Sequence, residues 1–252
     1  MKIYVQGSGR PVVLLHQIGS SSRAWQHQVD ALSEKYQLIL VDYYGHGNSS
    51  EVPDHISIEN TAQVLNQRLE EMKVKNSVLV GHGLGGMIAT ELAFHKRDKV
   101  VRLVLIDMFP KRKSFKLIRQ LDLEQLERNR TAVLQAHYKQ LVKDDSLRDA
   151  VVKEALLTNE RAYYYYMKDL LEMDYTQKLN SLHVPIHCFY SSIAGKNREE
   201  IKNMRDKAGI RSIKDERLYH YPDSSHFIML DYEKKFTQDL EKILKLEAYV
   251  VY

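Results

Sequence analysis

The sequence is poor in cysteine and in long apolar runs, and each scarcity excludes a class of protein. Cys188 is the single cysteine among 252 residues, so no intrachain disulfide can form. No apolar run approaches the roughly 18 residues of a membrane-spanning helix, and the N-terminal segment has no signal-peptide pattern. The chain also has no internal repeat and no low-complexity linker. These absences predict one soluble, cytoplasmic domain that spans residues 1–252.

An excess of one charge sign is also missing. The chain has 37 basic and 33 acidic side chains, a formal net charge of +4. The basic residues are scattered except at Lys111, Arg112, Lys113 and Lys116, which are typical of a solvated surface turn rather than a phosphate-binding patch. We therefore expect no nucleic-acid partner, and we expect neither a cofactor nor a metal ion.

Short apolar, β-branched segments alternate with amphipathic segments along most of the chain. This alternation predicts the α/β class, with a mostly parallel sheet of about seven strands flanked by helices. Residues 110–182 instead read as successive helices without a strand, which predicts an all-helical cap inserted within the single domain. The strands are expected at residues 11–15, 37–42, 77–80, 101–107, 184–190 and 217–220, and the other helices at about 22–36, 57–72, 84–95, 198–207 and 233–246.

The most informative absence is that of a serine. Residues 78–86 read Val-Leu-Val-Gly-His-Gly-Leu-Gly-Gly, an apolar strand that enters a turn. In the G-x-S-x-G signature, such a turn raises a nucleophilic serine above the sheet, and small glycines on both sides allow close packing. Gly81 and Gly85 supply those glycines here, but Gly83 stands in the nucleophile position. Glycine cannot form an acyl-enzyme, so ordinary ester hydrolysis should be nearly absent.

Four motifs, in the correct order, resemble those of the α/β-hydrolase superfamily. His16-Gln17-Ile18-Gly19 resembles the His-Gly loop that follows an early strand, and residues 42–49 resemble the Asp-x-x-Gly-His-Gly-x-Ser segment. Residues 81–86 resemble the nucleophile elbow, and residues 224–227 resemble the catalytic-histidine loop. The resemblance implies an esterase- or thioesterase-like fold, with a helical cap where residues 110–182 lie.

The resemblance also implies roles for individual residues. His226 takes the position of the general base, close to the nucleophile position at Gly83. The backbone amides of Ile18 and Leu84 would bind a developing oxyanion. Gln17 replaces the glycine that is usual in the family, so its side chain either reshapes this notch or plugs it. His82 either lines the pocket or packs at the end of its strand.

The acid of the triad is less directly indicated. The usual family location follows the strand at 184–190, where residues 191–197 contain no carboxylate. Asp107 ends the preceding strand, where some branches of the superfamily carry the acid. A carboxylate there can accept the Nδ1 proton of His226 and fix its tautomer. Asp223 and Glu199 are the alternatives.

The missing serine leaves several functions open. The natural protein has a serine that an inactivating substitution replaced, or the chain is a natural pseudoenzyme that binds a ligand or partner in the capped pocket. A third alternative is a His226-based lyase or oxygenase. A fourth is dinucleotide binding through Gly81, Gly83 and Gly86, with Asp107 about 20 residues further on. The fourth leaves His226 unexplained.

Tyrosine is abundant in the predicted cap, at Tyr138, Tyr163, Tyr164, Tyr165, Tyr166 and Tyr175. A tyrosine wall is apolar in body and offers a hydroxyl, which suits a medium-sized acyl or aromatic ester, thioester or lactone. The alternative is that these side chains join the cap to the core.

Overall fold

A seven-stranded sheet forms the centre of the molecule. The computed structural model describes residues 1–95, 99–111, 123–211, 213 and 217–246. Across the sheet the order is β1-β3-β2-β4-β5-β6-β7, and β1 is antiparallel to β3 whereas the other neighbours are parallel. The strands are β1 (Lys2–Gln6), β2 (Arg10–Leu15), β3 (Tyr36–Asp42), β4 (Ser77–His82), β5 (Val100–Ile106), β6 (Ile186–Ser191) and β7 (Leu218–Tyr221).

Burial explains which strands the sequence predicts. Every residue of β4, β5 and β6 is buried, as expected for parallel strands covered on both faces by helices. Their continuous apolar runs are therefore a strong signal. β1 lies at the edge and is partly exposed, so its short mixed sequence was not predicted as a strand.

Helices account for most of the remaining described residues. A 3-10 turn at Ser22–Trp25 precedes α1, and this turn divides the single helix predicted at 22–36. The helices predicted at 84–95 and 198–207 have those bounds in the structure. Within the described ranges, no helix is both long and apolar enough to cross a membrane. The helices are α1 (Gln26–Leu32), α2 (Ile58–Glu71), α3 (Leu84–His95), α4 (Leu123–Arg128), α5 (Arg130–Leu141), α6 (Asp145–Leu157), α7 (Glu160–Glu172), α8 (Thr176–Asn180), α9 (Arg198–Lys207), α10 (Ile228–Asp231) and α11 (Glu233–Lys245).

Helices α4 to α8 lie in the chain between β5 and β6, and we call them the inserted helices. They contact the loops at the carboxyl ends of the strands: the Tyr138 hydroxyl donates to the Ile18 carbonyl at 3.3 Å, and His226 N donates to the Leu141 carbonyl at 3.0 Å. They therefore lie at the sheet edge where open α/β folds bind ligands. Of the basic run, Lys111 pairs with Asp174 at 3.0 Å, whereas Arg112, Lys113 and Lys116 lie outside the described residues.

Candidate active site

A sharp turn joins β4 to α3 at Gly83, which has a φ of 49°. A Cβ added to Gly81 would lie 2.3 Å from the Gly85 carbonyl oxygen, and one added to Gly85 would lie 2.1 Å from the Leu15 carbonyl oxygen. Both flanking positions therefore need glycine for strand and helix to approach this closely. The chain keeps the backbone of a nucleophile elbow although residue 83 has no side chain.

The Gln17 side chain fills the space over Gly83. A Cβ added to Gly83 would lie 2.3 Å from Gln17 Oε1 and 2.5 Å from Gln17 Cδ. Oε1 accepts hydrogen bonds from the backbone amides of Ile18 and Leu84, each at 2.8 Å. These are the two amides that the sequence analysis expected to bind an oxyanion. The Gln17 carboxamide oxygen therefore occupies the space between these two amides.

The other half of the Gln17 carboxamide contacts the histidine. Gln17 Nε2 lies 2.8 Å from His226 Nε2. Because the two backbone amides can only donate, the Gln17 oxygen must face them and the Gln17 nitrogen must face His226. The same geometry disfavours the dinucleotide alternative, since a pyrophosphate would need the space over Gly83.

His226 and Asp107 meet as expected. His226 Nδ1 lies 3.1 Å from Asp107 Oδ2, and both side chains are buried. A carboxylate only accepts, so Nδ1 carries the proton and Nε2 is left as the acceptor for Gln17. Asp223 and Glu199, the other candidate acids, are exposed.

Asp107 is fixed by the strand beside it. Its Oδ1 accepts a hydrogen bond from Ser191 N at 2.8 Å, and the Ser191 hydroxyl donates to Oδ2. Ser191 ends β6, beside the usual family location of the acid, and it therefore holds the carboxylate that comes from the end of β5. Asp107 has a φ of 42°, an uncommon value for a residue with a side chain, and such strain is concentrated at functional sites.

Two buried histidines shape the loop that carries Gln17. His16 Nδ1 donates to the Gln17 carbonyl at 2.7 Å, and His46 Nε2 accepts from Gly19 N at 3.1 Å. Burial lowers the pKa of His16 to about 4 and that of His46 to about 3, so both are neutral near pH 7. Neutral imidazoles with fixed tautomers therefore hold the backbone of residues 16–19 in place.

His82 packs at the end of β4. Its ring centroid lies 4.4 Å from that of His226 and 5.1 Å from that of Phe227. Burial lowers its pKa well below the usual value. It does not line the cavity that the described residues enclose over Gly83. The structure favours strand-end packing, behind the His226 imidazole, over pocket lining.

A cavity of about 40 Å³ remains beside the Gln17 carboxamide. This volume exceeds the roughly 10–15 Å³ that a cavity needs to hold one water molecule. Sequence reasoning missed most of its apolar wall and also His137 on α5, whose pKa burial lowers to about 4. No local motif marks His137, because only the fold brings α5 over β4. The described lining residues are Gln17, Ile18, Gly83, Leu84, Met87, Asp107, Phe109, His137, Leu141, Met167, Leu170 and His226.

The tyrosines of the inserted helices mostly contact the core. Tyr166 pairs with the Thr61 hydroxyl at 2.8 Å, and the Tyr175 hydroxyl donates to Glu91 at 2.7 Å. No tyrosine stands among the described residues that line the cavity over Gly83. The structure therefore favours the second alternative, in which tyrosines join these helices to the core.

Comparison with known proteins identifies relatives along most of the chain. A protein of Vibrio cholerae named pimeloyl-[acyl-carrier protein] methyl ester esterase is 37% identical over 107 residues, 42% of this chain and 40% of that protein. The protein of the same name from Aliivibrio salmonicida is 28% identical over an alignment of 259 residues, 96% of this chain and 95% of that protein.

A solved structure shares the fold of this chain. A hydrolase from Oleispira antarctica superposes with a TM-score of 0.84 at 18% identity, covering 97% of this chain and 94% of that one. The sequence model of the family described as alpha/beta hydrolase fold matches residues 10–232. The chain thus belongs to the α/β-hydrolase fold family.

Proposed function

We propose that this chain is a natural α/β-hydrolase-fold pseudoenzyme, which binds a small molecule beside His226, in the place that Gln17 fills without ligand, and forms no acyl-enzyme. One observation carries the proposal: the Gln17 carboxamide fills both the space over Gly83 and the notch formed by Ile18 N and Leu84 N. The inserted helices act as a cap over this site.

The Asp107–His226 pair has the arrangement of a general base and its orienting acid. Two further parts are needed for acyl transfer, a nucleophile and an oxyanion site. Removal of a nucleophile alone leaves a residual acceleration of about 10³–10⁴ over water, which the oxyanion site and substrate binding supply. Because Gln17 also fills the oxyanion site, we expect most of that residual rate to be lost.

The fit between residues 17 and 83 favours a pseudoenzyme over a simple inactivated hydrolase. If only residue 83 had changed, serine would fit back into the turn. A serine Cβ would instead lie 2.3 Å from Gln17 Oε1, so Gln17 would have to move. Gln17 can lie in this position only while residue 83 has no side chain, so its hydrogen bonds to Ile18 N and Leu84 N favour a natural glycine at residue 83.

The lyase or oxygenase alternative is less well supported. It requires His226 Nε2 to be available as a base toward substrate or water. In the structure this nitrogen accepts a hydrogen bond from Gln17 at 2.8 Å. Turnover by the unaltered chain would therefore first require displacement of Gln17.

The test is hydrolysis of p-nitrophenyl esters and acyl thioesters of graded chain length. We expect the unaltered chain to match His226→Ala, because it has no nucleophile and Gln17 occupies the site. We expect Gly83→Ser to gain little turnover, because its displaced Gln17 side chain still competes for the amides of Ile18 and Leu84. The double variant Gln17→Gly/Gly83→Ser should exceed Gly83→Ser by about 10²–10³ in kcat, the usual contribution of oxyanion stabilisation.

Two outcomes would count against the proposal. His226-dependent turnover by the unaltered chain would establish serine-independent catalysis. Full activity in Gly83→Ser alone would show that Gln17 does not block the site and would favour a recently inactivated esterase. Gln17→Gly alone is the matched control, since it opens the notch without supplying a nucleophile.

A further inference from the structure

We propose that this site recognises a primary carboxamide, the terminal amide group of a small neutral ligand, and that Gln17 is its resident occupant when no ligand is bound. The inference rests on the proposed function and adds the chemical class of the ligand. It starts from the Gln17 side chain itself, a carboxamide whose oxygen and nitrogen are both held by hydrogen bonds.

The three polar partners at this point have fixed hydrogen-bonding roles. Ile18 N and Leu84 N can only donate, and both donate to one oxygen. In the neutral imidazole of His226, Nδ1–H donates to Asp107 Oδ2, and Nε2 is therefore an acceptor. A matching ligand must therefore carry an acceptor oxygen and an N–H donor on the same carbon atom.

This requirement separates a carboxamide from the other acyl compounds. An ester or lactone satisfies the two amides but has no N–H for His226. A carboxylate places a second oxygen against the lone pair of Nε2. A buried acceptor without its donor costs binding free energy, so both compounds should bind less well than the matching amide. Only the carboxamide satisfies all three partners without a change of protonation.

The space around Gln17 and its exposure to solvent suit a small carboxamide ligand. Gln17 is only partly buried, whereas His226, Leu84 and Ile18 are buried. Rotation of Gln17 away from the site would join the volume of its side chain to the adjoining cavity of about 40 Å³. The wall of that cavity is largely apolar, with Met87 and Leu141 among its members. A short alkyl carboxamide would place its polar head on the three partners and its chain against this wall.

The experiment removes Gln17 and supplies its side chain as a free compound. In Gln17→Ala, propionamide should raise the melting temperature in a dose-dependent way and bind in calorimetry. We expect it to bind about tenfold more tightly than methyl acetate or propionate, which corresponds to one unmatched hydrogen bond. Gln28→Ala is the matched control, since Gln28 is fully buried and its Nε2 donates to Thr237 Oγ1 at 3.0 Å, and propionamide should not stabilise it beyond the unaltered chain.

An isosteric variant keeps the inference falsifiable if Gln17→Ala does not fold. In Gln17→Glu, one carboxylate oxygen faces His226 Nε2, so that nitrogen must take up a proton to make the contact. The charged and titratable groups facing His226 are Asp107, His82 and His137. By NMR of the imidazole at one fixed pH, we expect a larger fraction of His226 to carry both ring protons in Gln17→Glu than in the unaltered chain.

The outcomes separate the two proposals. Equal binding of propionamide and methyl acetate in Gln17→Ala, or an unchanged His226 protonation in Gln17→Glu, would overturn the carboxamide inference. Neither result would create ester turnover in the unaltered chain, so the proposed function would stand. Ester turnover by the unaltered chain would overturn the proposed function, whatever the affinity for amides.

Discussion

At the scale of single residues, two unusual positions explain each other. Gly83 leaves the turn after β4 without a side chain, and the Gln17 side chain occupies the space above it. The Gln17 side-chain oxygen accepts hydrogen bonds from the backbone amides of Ile18 and Leu84, and its side-chain nitrogen donates to His226 Nε2. The polar groups of the turn are thus satisfied within the protein, which an empty, half-buried notch would not achieve.

Gly83→Ser should destabilise the protein. A side chain at a φ of 49° is strained, and its Cβ would overlap the Gln17 carboxamide. We expect a loss of about 1–3 kcal/mol in the free energy of unfolding, measured by urea titration. Gln17→Gly/Gly83→Ser should recover part of this loss, because the overlap is then removed. Equal stability of Gly83→Ser and the unaltered chain would contradict the strained-turn interpretation.

Asp107 should contribute to ester hydrolysis only in a variant that has a nucleophile. In the Gln17→Gly/Gly83→Ser background, Asp107→Asn should lower kcat by about 10³–10⁴, because an amide favours the wrong tautomer of His226. Asp223→Asn is the control, since Asp223 is exposed and should leave kcat unchanged. A larger effect of Asp223→Asn than of Asp107→Asn would reverse the assignment of the acid.

At the scale of secondary-structure elements, polar contacts fasten the inserted helices to the core. Glu91 of α3 is buried, accepts a hydrogen bond from the Tyr175 hydroxyl at 2.7 Å and pairs with Lys178 of α8. On α7, Asp169 Oδ2 accepts a hydrogen bond from Ile58 N at the start of α2 at 2.8 Å. These contacts join elements far apart in sequence, so the position of the inserted helices over the site depends on them.

Tyr175→Phe should loosen this attachment. It leaves the buried Glu91 carboxylate without one donor, and such a loss costs about 1–3 kcal/mol. The measurement is thermal unfolding together with hydrogen exchange of the amides in α8. Tyr164→Phe is the control, because Tyr164 is only partly buried. If both variants lose the same stability, the Glu91 contact is not what fastens the helices.

At the scale of the whole molecule, neutral histidines make stability depend on pH: His16 and His46 are buried, and His137 is partly buried. Burial lowers the pKa of His16 and His137 to about 4 and that of His46 to about 3, whereas an unfolded histidine titrates near 6.5. Below about pH 6.5 these three histidines bind protons in the unfolded chain but stay neutral in the folded chain. Stability is therefore complete above that pH and is lost as pH falls toward 4.

The size of this effect can be tested with one histidine. Each of the three contributes a slope of up to about 1.4 kcal/mol per pH unit between pH 6 and 5. His137→Leu should flatten the dependence of the free energy of unfolding by about one such group, in urea titrations across that range. His55→Gln should not change the slope, because His55 is exposed. A slope unaffected by His137→Leu would show that His137 is not held neutral.

The sequence by itself determined the features that depend on neighbouring residues. Continuous apolar runs predicted the buried parallel strands, and the glycines of residues 81–86 predicted the turn at Gly83. The order of the motifs predicted that His226 and Asp107 meet, since the carboxyl ends of parallel strands lie at one sheet edge. The edge strand β1 was missed because a partly exposed pairing leaves little pattern in five residues.

The tertiary structure alone decided what the site contains. Gln17 is 67 residues from Leu84 and 209 from His226, so no local pattern could show that its carboxamide contacts both. The same holds for Tyr138, Tyr166 and Tyr175, whose hydroxyls find partners on the core instead of lining the cavity. Hydrogen-bond partners at a site depend on which loops converge there and on the space between them. That convergence is a property of the folded sheet. It alone shows that the Gln17 carboxamide lies between the amides of Ile18 and Leu84, which the sequence left open.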